Sequence, residues 1–182
     1  MARPDHAGLR LPADSPRMTV LFWLLLLATL WVATTMSGIG VTSAVPNIVC
    51  LELCGLTGDC AQYVGRLFNS EAGRLTLRSI RLDYVFIPLY SGFLILALLR
   101  QATYLPARLA RIGRLLCIAI PFAAVCDVAE NLLLVAMIQD NAARLGTIMS
   151  LLAGLKFLLL LAVAGWLLVM GIRFWFVAPD RS

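Results

Sequence analysis

The hydrophobic pattern of this chain consists of four long apolar blocks. They cover residues 18–37, 82–99, 112–138 and 145–172. A helix needs about 20 apolar residues to cross the hydrocarbon core of a bilayer, and each block is close to that length or exceeds it. Backbone polar groups find no water there, so only helices or closed barrels span it, and continuous apolar runs favour helices. The pattern therefore predicts an all-α fold, a polytopic membrane protein with four transmembrane helices in an antiparallel bundle.

The main segment outside these blocks is the connection at residues 38–81, predicted to lie outside the cell. It is compatible with helix over residues 61–68 and 71–81. In the second stretch, arginines recur every three or four residues beside an apolar stripe. Two interpretations remain open: a helix lying in the membrane interface with its arginines near phosphates, or a surface helix that leads into the second span.

Arginine is unevenly distributed between the two ends of the predicted bundle. One end holds both tails and the connection between the second and third helices, and its arginines are Arg3, Arg10, Arg17, Arg100, Arg108, Arg111, Arg114, Arg173 and Arg181. The other end has fewer arginines, diluted by acidic residues. The positive-inside rule therefore predicts cytoplasmic termini. The predicted organisation is a flexible tail at residues 1–17, one membrane domain at residues 18–176 and a second cytoplasmic tail at residues 177–182.

Composition agrees with this class, since 61% of the residues are hydrophobic and only 14% are charged, against about 25% charged in soluble domains. Membrane orientation accounts for the net charge of +5, so no nucleic-acid partner is predicted. The first block also resembles a cleaved signal peptide, but its apolar run is long for one, which favours a retained helix.

Several kinds of site are excluded by missing residues. The only histidine is His6, in the predicted tail, which argues against bis-histidine haem, histidine-containing zinc sites and histidine-based triads in the membrane. No phosphate-binding loop or nucleophile elbow is present, and no metal or cofactor is predicted. One disulfide can form among the three external cysteines, in a pairing that the sequence leaves open: Cys50, Cys54 and Cys60.

The chain carries charged residues inside its apolar blocks. Asp127, Glu130 and Asn131 share one face of the third helix, Lys156 interrupts the fourth, and Asp83 opens the second. An ionisable group in a membrane span costs roughly 2.5–3.5 kcal/mol on insertion scales, which makes these residues candidates for function. Three carboxyls face one ammonium, so at least one is predicted to be protonated, paired with Arg81, or bound to a cation or ligand amine.

Helix rise predicts the levels at which these groups meet. At ~1.5 Å per residue, all of them fall in the outer half of the bilayer, with Asp127 nearest Lys156 and with Glu130 and Asn131 nearer Asp83. We therefore expect an Asp127–Lys156 contact and a Glu130 carboxyl without a cation. Glu130 and the adjacent Asn131 are together the predicted functional centre. The predicted catalytic candidates are Glu130, Asp127 and Asp83. The predicted ligand-binding residues are Asn131, Tyr84, Tyr90 and Lys156, although Tyr84 alone also suits an interfacial tyrosine.

Four motifs resemble a group of uncharacterised bacterial four-helix integral membrane proteins. They are Leu51-Glu52-Leu53, the Asp-aromatic-x-Phe-x-Pro-x-Tyr stretch from Asp83 to Tyr90, the Asp-x-x-Glu-Asn stretch from Asp127 to Asn131, and Lys156. The resemblance implies the bacterial inner (plasma) membrane and adds Glu52 to the ligand-binding residues, but it implies no activity. A weaker architectural analogy is to the sterol-isomerase-like EXPERA proteins, whose intramembrane histidine this chain lacks.

Three functions are compatible with these features. The first is binding of a membrane lipid or small apolar molecule at the acidic and amide cluster, with or without acid/base chemistry by a carboxyl. The second is a structural or accessory subunit, with a membrane-protein partner or as a homo-oligomer, whose buried ion pair fixes helix packing. The third is a proton- or cation-coupled transport element, which the missing inverted repeat disfavours. Whether the protein is an enzyme stays open.

Overall fold

The structure, a computed structural model, describes residues 15–40 and 48–177. Most of the predicted N-terminal tail, residues 41–47 of the first connection, and residues 178–182 lie outside the described residues. The described part contains seven α-helices and a 3₁₀ turn at Ala143–Leu145: α1 Pro16–Gly40, α2 Ile48–Glu52, α3 Cys54–Thr57, α4 Cys60–Leu67, α5 Glu71–Thr103, α6 Ala107–Asp140 and α7 Gly146–Val177. The predicted all-α fold is confirmed.

Four of these helices, α1, α5, α6 and α7, are long and apolar enough to cross a membrane. They correspond to the four predicted blocks, but α5 begins at Glu71 rather than near Leu82. The stretch at residues 71–81 is therefore the first part of α5, in agreement with the second of its two interpretations. Ser70 starts this helix, because its hydroxyl accepts a hydrogen bond from the Gly73 amide at 3.0 Å, as an N-cap does.

The four long helices pack in chain order. Helix α5 packs against α1 on one side and α6 on the other, and α6 packs against α7. The connections from α5 to α6 and from α6 to α7 are short, which makes these neighbours antiparallel. Asn141 ends α6 in the left-handed conformation, with φ of 53°, which asparagine tolerates better than most residues.

Helix α1 is held to α5 through contacts near its first turns. The rings of Phe22 and Phe93 lie 5.2 Å apart, and the Arg100 guanidinium lies 5.2 Å from the Phe22 ring centroid. Arg100 also donates a hydrogen bond to the Thr19 hydroxyl at 3.3 Å. Apolar side chains cover the exposed surfaces of α1 and α7, among them Leu27, Trp31, Leu158, Leu161 and Leu168. Such surfaces suit a lipid environment.

The short helices α2–α4 form a cap, residues 48–67, over one end of the bundle. Leu51, Val64 and Leu67 are fully buried in one core with residues of α6 and α7 such as Met137 and Met149. The Cys54–Cys60 disulfide closes the middle of the cap, and Cys50 remains an exposed thiol. This result selects one of the three pairings that the sequence left open.

Two glycines bring the cap close to the start of α7. Gly55 lies against the backbone carbonyl of Gly146, and Gly146 lies against Cys60 Sγ, so neither position has space for a Cβ atom. The Gly55 amide donates to Ser150 Oγ at 2.8 Å, and that hydroxyl donates to the Glu52 carbonyl oxygen at 2.8 Å. The backbone that carries Glu52 is thereby fixed to α7.

Candidate functional site

Lys156 is the only lysine in the chain, and its ammonium joins three carboxyls. The Nζ atom lies 2.7 Å from Glu130 Oε2, 3.0 Å from Asp127 Oδ1 and 3.7 Å from Glu52 Oε2. Glu130 is fully buried and Lys156 is 5% exposed. We call Glu52, Asp127, Glu130 and Lys156 the carboxyl cluster. It joins α6, α7 and the cap through one positive charge.

The local structure explains why these side chains converge. Asp127 and Glu130 are three residues apart on α6, so both point to the same neighbour, and that neighbour is α7. Lys156 lies on the buried face of α7. Glu52 is the last residue of α2, and the Ser150 hydrogen bond to its backbone holds it above the two helices.

The predicted Asp127–Lys156 contact is present, but the predicted isolation of Glu130 is wrong. Glu130 has the shortest of the three contacts with Lys156, at 2.7 Å. Helix rise separates Asp127 from Glu130 by only about 4.5 Å along the axis, and one ammonium can touch a carboxyl on either side of it. The assignment by Cα level failed because it ignored the reach of the long lysine side chain.

Helix α5 adds a second group of polar contacts. Asn131 Nδ2 donates to Asp83 Oδ2 at 2.6 Å, as the shared level of these two residues predicted. The Tyr90 hydroxyl donates to Asp127 Oδ2 at 2.9 Å. Tyr90 thus connects α5 to the carboxyl cluster, and the Asp83–Asn131 pair lies at the half-buried edge of the same polar region.

Tyr84 and Arg81 lie outside this network. The Tyr84 side chain is 38% exposed, and no hydrogen bond joins it to the carboxyl cluster within the described residues. This position matches its alternative interpretation as an interfacial tyrosine. Arg81 is exposed, and the described residues contain no ion pair between it and a carboxyl. Lys156 is therefore the cation of every ion pair found in residues 15–40 and 48–177.

The charge of the site is unbalanced. Four carboxyls, those of Glu52, Asp83, Asp127 and Glu130, lie in this polar region, and one ammonium pairs with three of them. Burial raises the pKa of Glu52 to about 6, although the Lys156 ammonium acts in the opposite direction. Glu130 Oε2 meets Lys156 as an ion pair, whereas the buried Glu130 Oε1 receives no hydrogen bond from a donor within residues 15–40 and 48–177. Buried like charges do not all ionise at low cost, so the site must take up protons or a cationic group.

The donor set indicates which cations suit the site. Within the described residues, no group of three or more histidine, cysteine, aspartate or glutamate side chains is arranged to hold a metal ion. The Lys156 ammonium, in contrast, already lies among carboxyls, with its Nζ 4.8 Å from the centroid of the Phe157 ring. The chain itself thus supplies an example of an ammonium bound by carboxylates and an aromatic face.

No family model, curated protein or solved structure matches this chain. The geometry of the site therefore carries the functional argument. Two parts of that geometry were missed by reasoning from residue patterns alone. Glu52 was named only through the resemblance, although it lies two residues before Cys54 of the disulfide. Ser150, which positions it, is marked in the sequence only as a small residue four positions before Gly154, a spacing that lets helix backbones approach closely.

Proposed function

We propose that this protein is an integral membrane protein that binds a lipid or a small apolar molecule with a polar group, and that the Glu130 carboxyl serves as the acid/base group of the site. The observation that carries the proposal is the surplus of carboxyls around one ammonium, in which no donor in the described part of the chain reaches the buried Glu130 Oε1. Unpaired buried polar atoms are costly, and intramembrane ionisable groups mark functional sites by default.

The surplus favours binding over a purely structural role. One carboxyl and one lysine would suffice to fix the register of α6 against α7. Each further buried carboxyl adds a desolvation cost of several kcal/mol that the single ammonium does not offset. A group that lowers stability in this way is retained most readily when it performs a function.

A structural or accessory role is the second candidate, and one observation favours it. Three members of the carboxyl cluster are buried, since Lys156, Asp127 and Glu130 are each at most 5% exposed. The cluster joins two membrane helices to the cap, so it can fix the packing of all three elements. A membrane-protein partner or a second copy of the chain would then cover the exposed apolar surfaces.

For the binding function, we propose that the ligand enters at Asp83. This carboxyl is half-buried, whereas Asp127 and Glu130, on the neighbouring helix α6, are buried. In the orientation that the arginine distribution predicts, both termini are cytoplasmic and the cap faces the outside of a bacterial inner membrane. A lipid from the outer leaflet would reach Asp83 from the side of the bundle.

The test is mass spectrometry of the full-length protein, purified in mild detergent and released from it. We expect wild type to carry a bound molecule, and Glu130→Gln, which keeps the volume but removes ionisation, to lose it. Asp140→Asn is the matched control, because Asp140 is exposed at the end of α6. Equal occupancy in wild type and Glu130→Gln would refute the assignment of the site. A wild-type protein with no bound molecule would favour the structural role.

A further inference from the structure

Asp83 offers an acceptor that the protein leaves unused. Its Oδ2 accepts a hydrogen bond from Asn131 Nδ2 at 2.6 Å, and no described residue donates to Oδ1. Among the described residues, no arginine or lysine forms an ion pair with this carboxyl, although it lies in the same polar region as Asp127. A half-buried carboxylate with one occupied oxygen and no cation is an incomplete ion pair.

Two aromatic residues share a helix face with Asp83. Phe86 and Tyr90 follow Asp83 by three and seven residues, so all three lie on one face of α5. The Phe86 and Tyr90 rings are 5.2 Å apart in a tilted arrangement, and Phe86 is half-buried. A carboxylate beside aromatic faces is the combination that recognises organic ammonium groups.

We infer that the ligand of this site is an amphiphile with an ammonium group, whose nitrogen binds Asp83 Oδ1 beside the Phe86 ring. The inference rests on the proposed binding function and specifies the chemical class of the ligand. The observation at Glu130 points the same way: this residue is fully buried in the polar region, and no described residue donates a hydrogen bond to its Oε1. An ammonium adds the positive charge that the four carboxyls lack.

Other ligand classes fit the site less well. An anionic headgroup would meet four carboxyls and one lysine, so its approach would be repelled. A neutral alcohol would satisfy the free oxygen of Asp83 but would leave the charge surplus unchanged. Lys156 shows how this protein holds an ammonium, since its Nζ contacts carboxyls and lies 4.8 Å from the centroid of the Phe157 ring. The ligand ammonium at Asp83 would make the same two kinds of contact.

The first experiment compares probes with the same alkyl chain. Dodecylamine, dodecanol and dodecanoate are titrated into the full-length protein in a neutral detergent at pH 7.5, and the melting temperature is followed. We expect dodecylamine alone to raise it by several degrees, in wild type and in the exposed-site control Asp140→Asn. The increase should disappear in Asp83→Asn and return in Asp83→Glu. Asparagine at this position still offers an oxygen to Asn131, so the first substitution removes charge and leaves the hydrogen bond possible.

The second experiment distinguishes the two sources of the ammonium. Native mass spectrometry is applied to the protein in nanodiscs of phosphatidylethanolamine or of phosphatidylglycerol. Retention of phosphatidylethanolamine in wild type but not in Asp83→Asn identifies a lipid headgroup. Binding of dodecylamine without retained phosphatidylethanolamine identifies a free amine. Both results support the inference.

Three results would overturn the inference. Dodecylamine that stabilises Asp83→Asn as much as wild type would show that the ammonium does not bind Asp83. Stabilisation by dodecanol equal to that by dodecylamine, lost in Asp83→Asn, would indicate a neutral ligand and leave the proposed binding function intact. If no probe binds, the ammonium assignment fails. The occupancy test with Glu130→Gln then decides independently whether the binding function fails as well.

Discussion

Removal of the Lys156 ammonium tests the central feature of the site. Lys156→Met keeps the length of the side chain but leaves the carboxyls of Glu52, Asp127 and Glu130 without their shared cation. Removing one partner of a buried ion pair typically costs about 3–5 kcal/mol. Three carboxyls lose a partner here, so we expect the upper part of this range at neutral pH. This cost is a large fraction of the ~5–15 kcal/mol that stabilises a typical domain.

Proton uptake by the carboxyls should reduce this cost. The deficit of Lys156→Met is therefore expected to shrink as the pH falls from 7.5 to 5. Removal of one carboxyl should also help, so Lys156→Met combined with Asp127→Leu should be more stable than Lys156→Met alone. A coupling free energy of at least about 1 kcal/mol is expected, because contacting charged residues are not additive.

The assay is reversible unfolding in mixed micelles, followed by circular dichroism, for the single and double variants. Arg114→Met is the matched control, because it removes one positive charge from an exposed position on α6 and should change stability by no more than about 0.5 kcal/mol. Lys156→Met that is as stable as Arg114→Met, or strictly additive effects in the double variant, would contradict the buried ion pairs described above.

Three further predictions concern the cap. The pKa of Glu52 is raised from 4.5 to about 6, so its contribution to the free energy of unfolding is full below pH 4.5 and is lost as the pH rises through 6. Glu52→Gln should therefore reduce the loss of stability between pH 4.5 and 7 by about 2 kcal/mol. A pH profile of stability that is the same in wild type and Glu52→Gln would contradict this prediction. The Cys54–Cys60 disulfide spans a sequence separation of 6. Loop-closure entropy then predicts that Cys60→Ser lowers the free energy of unfolding, measured with a chemical denaturant, by about 2 kcal/mol. The control Cys50→Ser should lower it little. Gly55→Ala should destabilise the protein, because the added Cβ would meet the Gly146 backbone. Its control, Gly65→Ala, places the Cβ in open space and should be neutral or stabilise the protein by up to ~1 kcal/mol. Equal melting temperatures of the two variants would argue against this packing of the cap.

The sequence was sufficient to predict the four long helices, because block length and hydropathy are properties of single segments. The sequence also predicted that Asp127 lies near Lys156 and Asn131 near Asp83, since helix rise alone gives the levels of residues on neighbouring helices. It failed for Glu130, because a lysine side chain reaches past the level of its own Cα. The position of the cap on the bundle could not be predicted from the sequence, since it depends on tertiary contacts such as that between Gly55 and Gly146.

Replacement of the carboxyl cluster together with Tyr90 distinguishes the binding function from the structural role. The required changes are Glu52→Gln, Tyr90→Phe, Asp127→Leu, Glu130→Met and Lys156→Met. Buried ion pairs replaced by apolar residues of similar volume often leave a protein equally stable or more stable by about 1–4 kcal/mol. If the cluster serves ligand binding, this variant should therefore fold at least as stably as wild type and yet lose the bound molecule. A variant that fails to fold would show that the charges specify the packing of α6, α7 and the cap, and a stable variant that retains the molecule would refute binding at the cluster.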